Sequence, residues 1–192
     1  MPRLLCIRHA ESTWNALGRW QGQADPPLSE AGRRAAAALA EELAADAVGC
    51  AALVSSDLLR ARETAGILAA RWSLAPETWP ALREADLGSW SGFVTAEIEA
   101  RWPEDYRRFR AGDLELRPGG GESRRALRER ALGAVRTLEA RWGDAAVVLV
   151  THLGWLRALA PGLVLPNAGT LWLDSAALAP GDAAVAEGGE AR

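Results

Sequence analysis

The chain has 192 residues, of which 49% are hydrophobic and 24% charged, and it fits one globular domain that buries a substantial core. Its net charge of −3 argues against a nucleic-acid-binding surface, because such surfaces carry basic residues that displace phosphate counterions. All 22 basic residues are arginine, which excludes a P-loop lysine and Schiff-base chemistry and leaves arginine as the main cation for binding anions.

Short apolar runs typical of strands alternate with segments whose apolar residues recur at helical spacing. This alternation predicts an α/β fold in which helices flank a mostly parallel central sheet. In chain order, the predicted elements are strand Leu4–Ile7, helix Ser29–Ala45, strand Ala51–Val54, helix Leu58–Trp72, a weaker strand Glu77–Leu82, helix Thr95–Arg101, helix Glu122–Trp142, strand Ala146–Val150, helix Trp155–Leu163 and strand Thr170–Leu178. Ser29 and Asp57 are predicted N-caps, because their side-chain oxygens can accept the free amides of a first helical turn.

The two ends of the sequence indicate location and domain limits. The apolar run at residues 4–7 is far too short for a signal peptide or a membrane span, so we expect a cytoplasmic protein with no membrane partner. Cys6 and Cys50 adjoin or lie in apolar runs, and we expect both to be reduced thiols. Residues 1–179 are predicted to form the domain, and residues 180–192, rich in Gly, Ala and Glu, a flexible tail.

Both histidines of the chain lie just beyond predicted strands. Arg8 and His9 follow the first strand, and His152 follows the strand that ends at residue 150. Arg60 lies in the first turn of the helix after a third strand. Ligands of open α/β sheets bind outside the carboxyl ends of the strands, so these side chains are expected to converge. A histidine taken alone is more often a hydrogen-bonded structural residue than a catalyst, and it is the joint placement of these side chains that indicates a site.

Other common site chemistries fit the sequence poorly. Cys6 and His9 alternate to opposite faces of an extended segment, and no third histidine completes a usual zinc site, so we expect no metal. The segment Gly88–Gly92 has Trp90 where a nucleophile elbow has serine, and no Gly-x-Gly-x-x-Gly follows a strand. Nucleophilic or acid–base histidine chemistry on an anionic substrate remains.

Several motifs, in a fixed order between residues 3 and about 173, resemble those of the histidine phosphatase family, which includes the cofactor-dependent phosphoglycerate mutases. The matching segments are Arg8-His9-Ala10-Glu11 with Asn15, Gln21-Gly22 with Asp25 and Leu28-Ser29, Ser55-Ser56-Asp57-Leu58 with Arg60 and Thr64-Ala65, Leu82-Arg83-Glu84 with Gly88, Trp90 and Gly92, Pro118 to Ser123, Thr151-His152-Leu153-Gly154, and Leu165-Pro166-Asn167. Ala10 and Leu153 stand where the family usually has glycine. Leu153 is expected to add bulk at the edge of the pocket.

The resemblance implies a phosphoglycerate mutase-like three-layer sandwich and a role for each matching residue. By resemblance, His9 is the nucleophile that becomes a phosphohistidine, and Glu84 is the acid that protonates the leaving group. Arg8, Asn15, Arg60 and His152 are implied to hold the phosphoryl oxygens, while Gln21 and Gly22 are implied to contact substrate. Without the resemblance, the sequence around Glu84 favours a surface glutamate in a turn over a catalytic residue. No cofactor is implied.

The expected activity is hydrolysis of a phosphomonoester of a small metabolite. The stretch between Glu84 and Glu122 is short, with Trp102, Tyr106 and Phe109 as candidate lid residues, and a more open phosphoenzyme is more exposed to water. A cofactor-dependent mutase is the alternative, followed by a non-catalytic module that binds phosphorylated ligands. Members of the family often form dimers, so a homodimer is a further expectation.

Overall fold

A computed structural model describes residues 2–47 and 49–178 of the chain. Its centre is a sheet of five strands in the spatial order β3-β2-β4-β1-β5. The strands are β1 Arg3–Arg8, β2 Ala52–Ser55, β3 Pro76–Thr78, β4 Val147–Thr151 and β5 Thr170–Asp174. All neighbouring pairs are parallel except β1 with β5, so the prediction of a mostly parallel sheet is confirmed.

Eight helices accompany the sheet in the described part of the chain. They are α1 Thr13–Ala16, α2 Glu30–Glu42, α3 Ala44–Ala47, α4 Leu59–Trp72, α5 Thr95–Arg101, α6 Pro103–Arg110, α7 Arg124–Trp142 and α8 Leu153–Leu159. Short 3₁₀ turns cover Pro80–Leu82, Gly88–Trp90, Pro118–Gly120 and Ser175–Leu178. No helix in this part of the chain is both long enough and apolar enough to cross a membrane.

The two faces of β1 show why its sequence is continuously apolar. Leu4 and Cys6 point to a cluster built with α7 and α8, whereas Leu5 and Ile7 point to a cluster built with α2 and α4. Helices cover both faces, so all four side chains are buried, as in the parallel sheets of α/β proteins. Burial of one large aliphatic side chain contributes about 1.5–3 kcal/mol to the free energy of folding. The contacts on both faces of β1 therefore stabilise the layers of helices on either side of the sheet.

One of the two predicted helix caps is confirmed. Ser29 precedes α2, and its side chain accepts the amide of Gly32. The other prediction is wrong, because Leu58 is the N-cap of α4 and it provides no side-chain hydrogen bond. The carboxylate of Asp57 instead accepts two hydrogen bonds from Arg83, at 2.7 and 2.6 Å. Charge-assisted hydrogen bonds to Arg83 are stronger than a hydrogen bond to a backbone amide, so the carboxylate of Asp57 does not cap α4.

Several predicted boundaries differ from the structure. The helix predicted over 29–45 divides after Glu42 into α2 and α3, and the weaker strand predicted over 77–82 is a three-residue strand followed by a 3₁₀ turn. The last strand ends at Asp174 rather than at 178, and α8 occupies 153–159 instead of 155–163. The sequence does not predict helix α6, because most of residues 103–110 are charged and the two aromatic residues, Tyr106 and Phe109, are too few to show a helical spacing. The predicted tail at 180–192 lies outside the described residues.

A further apolar cluster contains residues of α5 and α6 and includes Trp20, which precedes Gln21 and Gly22 in the sequence. Trp90, fully buried at its centre, lies 5.9 Å from Trp20 and 5.7 Å from Phe109 between ring centroids. Trp102 and Tyr106 pack against the same cluster. The aromatic residues predicted as a lid therefore pack against a buried core of their own.

Candidate active site

The site lies at the carboxyl ends of the three central strands. Parallel pairing sets Arg8 of β1 opposite Thr151 of β4, so that His9 and His152 leave the sheet side by side. The amide of His9 donates to the carbonyl of Thr151 at 2.9 Å, and the two imidazole centroids are 5.1 Å apart. The structure thus brings together two histidines that are far apart in the sequence.

Hydrogen bonding defines which nitrogen of His9 is free to react. Nδ1 lies 2.7 Å from the carbonyl oxygen of Ala10, an acceptor only, so Nδ1 carries the hydrogen and donates it. The lone pair is therefore on Nε2, which accepts a hydrogen bond from Nε of Arg60 at 3.3 Å. Burial, followed by the positive charges of Arg60 and Arg8, holds the pKa of His9 well below its usual range. This imidazole is therefore neutral near neutral pH, with its lone pair on Nε2.

Arg60 supplies a buried cation next to that lone pair. Its Nη1 and Nη2 donate to the carbonyls of Ala24 and Gly22 at 2.7 and 2.8 Å, not to a carboxylate. Burial lowers the pKa of Arg60 to about 10, against the attraction of Glu84, so the group keeps its charge at neutral pH. No described carboxylate forms a direct ion pair with Arg60, and a buried cation in that situation is well placed to hold an anion.

Two further nitrogens in this region are buried without a hydrogen-bond partner in the described residues. They are Nε of Arg8 and Nδ1 of His152. Nη1 of Arg8 donates to the carbonyl of Leu165 at 2.7 Å, which fixes the guanidinium, and Nε2 of His152 lies 2.8 Å from Oγ of Ser56. Buried polar groups are rarely left unpaired in proteins. These two nitrogens fit the recognition of an acceptor such as a phosphoryl oxygen.

His152 is held in its neutral form as well. It is completely buried, and burial together with the charge of Arg60 holds the pKa of His152 well below its usual range. The pair of histidines is therefore neutral near neutral pH, and the positive charge of the site comes from the guanidiniums.

Glu84 reaches the site through two backbone amides. Its Oε2 accepts the amide of Gly154 at 3.0 Å, and its Oε1 accepts the amide of Ala85 at 2.9 Å. A Cβ on Gly154 would lie 2.2 Å from Oε1 of Glu84, so the close approach requires glycine at this position. Leu153 packs against the core cluster of α7 and α8.

Arg130 of α7 holds the chain that leads to Glu84. Arg130 pairs with Glu122 at 2.6 Å and donates to the carbonyls of Ala81 and Arg83 at 3.0 and 2.8 Å. Its Nη2 also donates to the carbonyl of Glu84 at 3.2 Å. The sequence does not indicate this role of Arg130, because most of its partners are backbone carbonyls that a motif does not reveal.

The other implied site residues, Asn15, Gln21 and Gly22, lie on the segment that follows His9. Ser12 connects the first two, since its Oγ donates to Oε1 of Gln21 at 2.6 Å and lies 3.1 Å from Oδ1 of Asn15. With their oxygens engaged, the amide N–H groups of Asn15 and Gln21 remain as donors. Gly22 has a φ of +50° and contributes its carbonyl to Arg60.

Asn167 belongs to a matching segment, Leu165-Pro166-Asn167, for which the resemblance implies no role. Nδ2 of Asn167 donates to the carbonyl of His9 at 3.0 Å and so fixes the backbone of that residue. Within residues 2–47 and 49–178, no three His, Cys, Asp or Glu side chains form a group that could hold a metal ion.

Comparison with known proteins gives consistent matches over most of the chain. The profile of the histidine phosphatase superfamily (branch 1) matches residues 4–177. The chain is 34% identical to phosphoserine phosphatase 1 of Hydrogenobacter thermophilus, covering 90% of this chain and 81% of that protein. It is 39% identical to a metal-independent phosphoserine phosphatase of Arabidopsis thaliana, covering 83% and 67% of the two chains. A structure of mycobacterial glucosyl-3-phosphoglycerate phosphatase in complex with VO3 superimposes with a TM-score of 0.80 at 35% identity, covering 91% and 93%.

Proposed function

This chain belongs to branch 1 of the histidine phosphatase superfamily, and from that premise we propose that it hydrolyses a small phosphomonoester through a phosphohistidine at His9. The observation that carries the proposal is the state of His9, whose Nδ1 is committed to the carbonyl of Ala10 while Nε2 faces a buried guanidinium. A neutral nucleophile beside fixed cations is the arrangement that phosphoryl transfer requires.

In the first step, Nε2 of His9 attacks phosphorus and the bond from phosphorus to the ester oxygen breaks. Glu84 gives its proton to that oxygen, so the leaving group departs as an alcohol. Arg60 and Arg8 offset the negative charge on the phosphoryl oxygens. Nδ1 of His152 and the amide of Asn15 donate hydrogen bonds to the same oxygens.

In the second step, water attacks the phosphorus of the phosphohistidine. Glu84, now a carboxylate, accepts a proton from the water, and the electron pair of the breaking nitrogen–phosphorus bond returns to Nε2 of His9. Inorganic phosphate leaves, and Glu84 is again protonated. The site then has the composition with which it began.

Gln21 and Gly22 are proposed to line the place of the substrate's leaving group. The amide N–H groups of Gln21 remain available when its oxygen accepts Ser12. A Cβ on Gly22 would come within 2.9 Å of the amide nitrogen of Leu87, so a side chain here would disturb the wall of the site. Relatives of this chain are named for phosphoserine and for glucosyl-3-phosphoglycerate, which are therefore the first substrates to try.

The test is a phosphate-release assay over a panel of small phosphomonoesters that begins with these two compounds. We expect turnover of at least one, and a loss of more than about a thousandfold in kcat for His9→Ala, because removal of a nucleophile disables the whole covalent route. Thr137→Ala on the exposed surface of α7 is the control and should retain the wild-type rate. A His9→Ala variant with wild-type turnover would contradict the proposal.

Two further assays of the same purified protein distinguish the proposed hydrolase from a mutase and from a non-catalytic binding module. Isomerisation of 3-phosphoglycerate that depends on a bisphosphoglycerate primer and releases no free phosphate would assign it to the mutases. Binding of inorganic phosphate without turnover of any panel member would assign it to the non-catalytic modules.

We also propose a cytoplasmic location, a homodimer, and a domain that ends near residue 179. The free thiols of Cys6 and Cys50 lie in different core clusters and support a reducing compartment. Analytical ultracentrifugation tests the dimer, and limited proteolysis tests the domain limit: cleavage confined to residues 180–192 is the expected result.

A further inference from the structure

Ser56 is a completely buried residue at the end of β2, and the proposed mechanism gives it no role. Its backbone amide donates to the carbonyl of Val150 at 2.9 Å, which ties it to β4 two residues before His152. Its Oγ lies 2.8 Å from Nε2 of His152. The serine is thus fixed in position by the sheet and faces the far side of the second imidazole.

The hydroxyl of Ser56 has one hydrogen to donate and two lone pairs to fill. One lone pair accepts the amide of Leu58 at 3.3 Å. Since the side chain is fully buried, its hydrogen cannot be satisfied by bulk solvent, and Nε2 of His152 is the acceptor next to it. A hydroxyl that donates to Nε2 requires the lone pair of the imidazole on Nε2 and the hydrogen on Nδ1.

The opposite tautomer satisfies fewer groups. With hydrogen on Nε2, the Ser56 hydroxyl becomes an acceptor from both His152 and Leu58, and its own hydrogen loses the imidazole as a partner. Nδ1 of His152, which has no partner in the described residues, then presents a lone pair. A lone pair repels the phosphoryl oxygens that this side of the imidazole is proposed to bind.

We propose that Ser56 is a positioning residue that holds neutral His152 as its Nδ1–H tautomer and so turns a hydrogen-bond donor toward the transferring phosphoryl group. The inference rests on the proposed function for its catalytic consequence. The tautomer itself is a property of the free protein and is measured without substrate. In this arrangement the serine acts through His152 and does not contact the substrate.

The direct measurement is nitrogen NMR of protein labelled with ¹⁵N-histidine. The chain has two histidines, so the His9→Ala variant leaves one imidazole and assigns the signals. Near neutral pH, we expect His152 to show a protonated Nδ1 and an unprotonated Nε2. A wild-type spectrum with the hydrogen on Nε2 would overturn the proposal, and this reading needs no variant of Ser56.

The kinetic measurement compares Ser56→Ala with Ser55→Ala. Ser55 is equally buried, but its Oγ donates to the carbonyl of Ser56 at 2.9 Å, so its removal reports the structural cost of losing a buried hydroxyl. We expect kcat/KM to fall about ten- to hundredfold for Ser56→Ala, the range typical of groups that orient a functional histidine, together with loss of the single Nδ1–H tautomer. Ser55→Ala should keep kcat/KM within about twofold.

Failure of this inference is distinct from failure of the proposed function. Equal kcat/KM in wild type and Ser56→Ala, in a protein that turns over and depends on His9, overturns the role of Ser56 alone. Absence of turnover in the wild type refutes the hydrolase, while the spectrum of His152 still decides the tautomer.

Discussion

At the residue scale, the site depends on a few contacts between side chains and backbone groups. His9 is oriented by the carbonyl of Ala10, and Glu84 is oriented by the amide of Gly154. The sequence places Gly154 two residues after His152, but it does not reveal that the glycine makes room for a carboxylate from a distant segment. The missing Cβ is what permits that contact.

Gly154→Ala tests the contact with Glu84. The added methyl would lie 2.2 Å from Oε1 of Glu84 and must displace the carboxylate, so we expect kcat to fall about a hundredfold, the effect of a misplacement near 1 Å. Gly133→Ala is a matched control within α7, where the nearest atom to the new Cβ is the end of Arg136 at 3.9 Å. That variant should keep wild-type kcat and gain up to about 1 kcal/mol in unfolding free energy. Equal kcat for both variants would contradict the account of Glu84.

Burial of two neutral histidines predicts how stability depends on pH. The pKa values of His9 and His152 are lowered in the folded state, so below pH 6.5 the unfolded chain binds protons that the folded chain does not. The free energy of unfolding should therefore fall as the pH drops through this range, by up to about 1.4 kcal/mol per pH unit for each histidine. Urea unfolding at pH 7.5 and 5.5 measures the slope.

His9→Gln is the control for this pH dependence. It removes one titrating group, so the slope between the two pH values should fall by about half. An unchanged slope would show that His9 does not contribute to it.

At the element scale, the strands of the sheet and the long helices could be predicted because their apolar spacing reports burial directly. The run Leu4–Ile7 is buried on both faces, and its continuous apolar character is visible in the sequence. Helix α6 at 103–110 was missed because its charges conceal the contacts of Tyr106 and Phe109. The N-cap predicted at Asp57 was wrong because Arg83, distant in sequence, takes its carboxylate.

Arg130, which pairs with Glu122, links α7 to the segment that carries Glu84 through hydrogen bonds to backbone carbonyls. Arg130→Ala leaves the mostly buried carboxylate of Glu122 and the carbonyl of Arg83 without their side-chain donor, whereas the carbonyls of Ala81 and Glu84 keep donors from Trp155 and Gln23. We expect a loss of about 2–3 kcal/mol in unfolding free energy and a lower kcat. Arg141→Ala, on the same helix, breaks an exposed pair with Glu77 and should cost less than about 1 kcal/mol without changing kcat. Urea unfolding and steady-state kinetics measure both, and equal effects would contradict the role given to Arg130.

At the scale of the whole molecule, the α/β class and the meeting of strand ends could be predicted, whereas the order of the strands could not. Parallel pairing of β1 with β4 is what places His9 beside His152, and it depends on packing between segments far apart in the chain. Strand β5 pairs with β1 at the edge of the sheet and runs antiparallel to it. The sequence of residues 170–174 does not indicate that antiparallel direction. The identities of the site residues came from motifs, but their hydrogen-bond geometry required the fold.

Trapping of the intermediate tests the nucleophile most directly. Rapid mixing of enzyme with a turned-over substrate, a quench in base and peptide mass spectrometry should find an acid-labile, base-stable phosphoryl group on His9, and none in His9→Ala. A phosphoryl group on His152 or on any other residue, or turnover that persists in His9→Ala, would contradict the account.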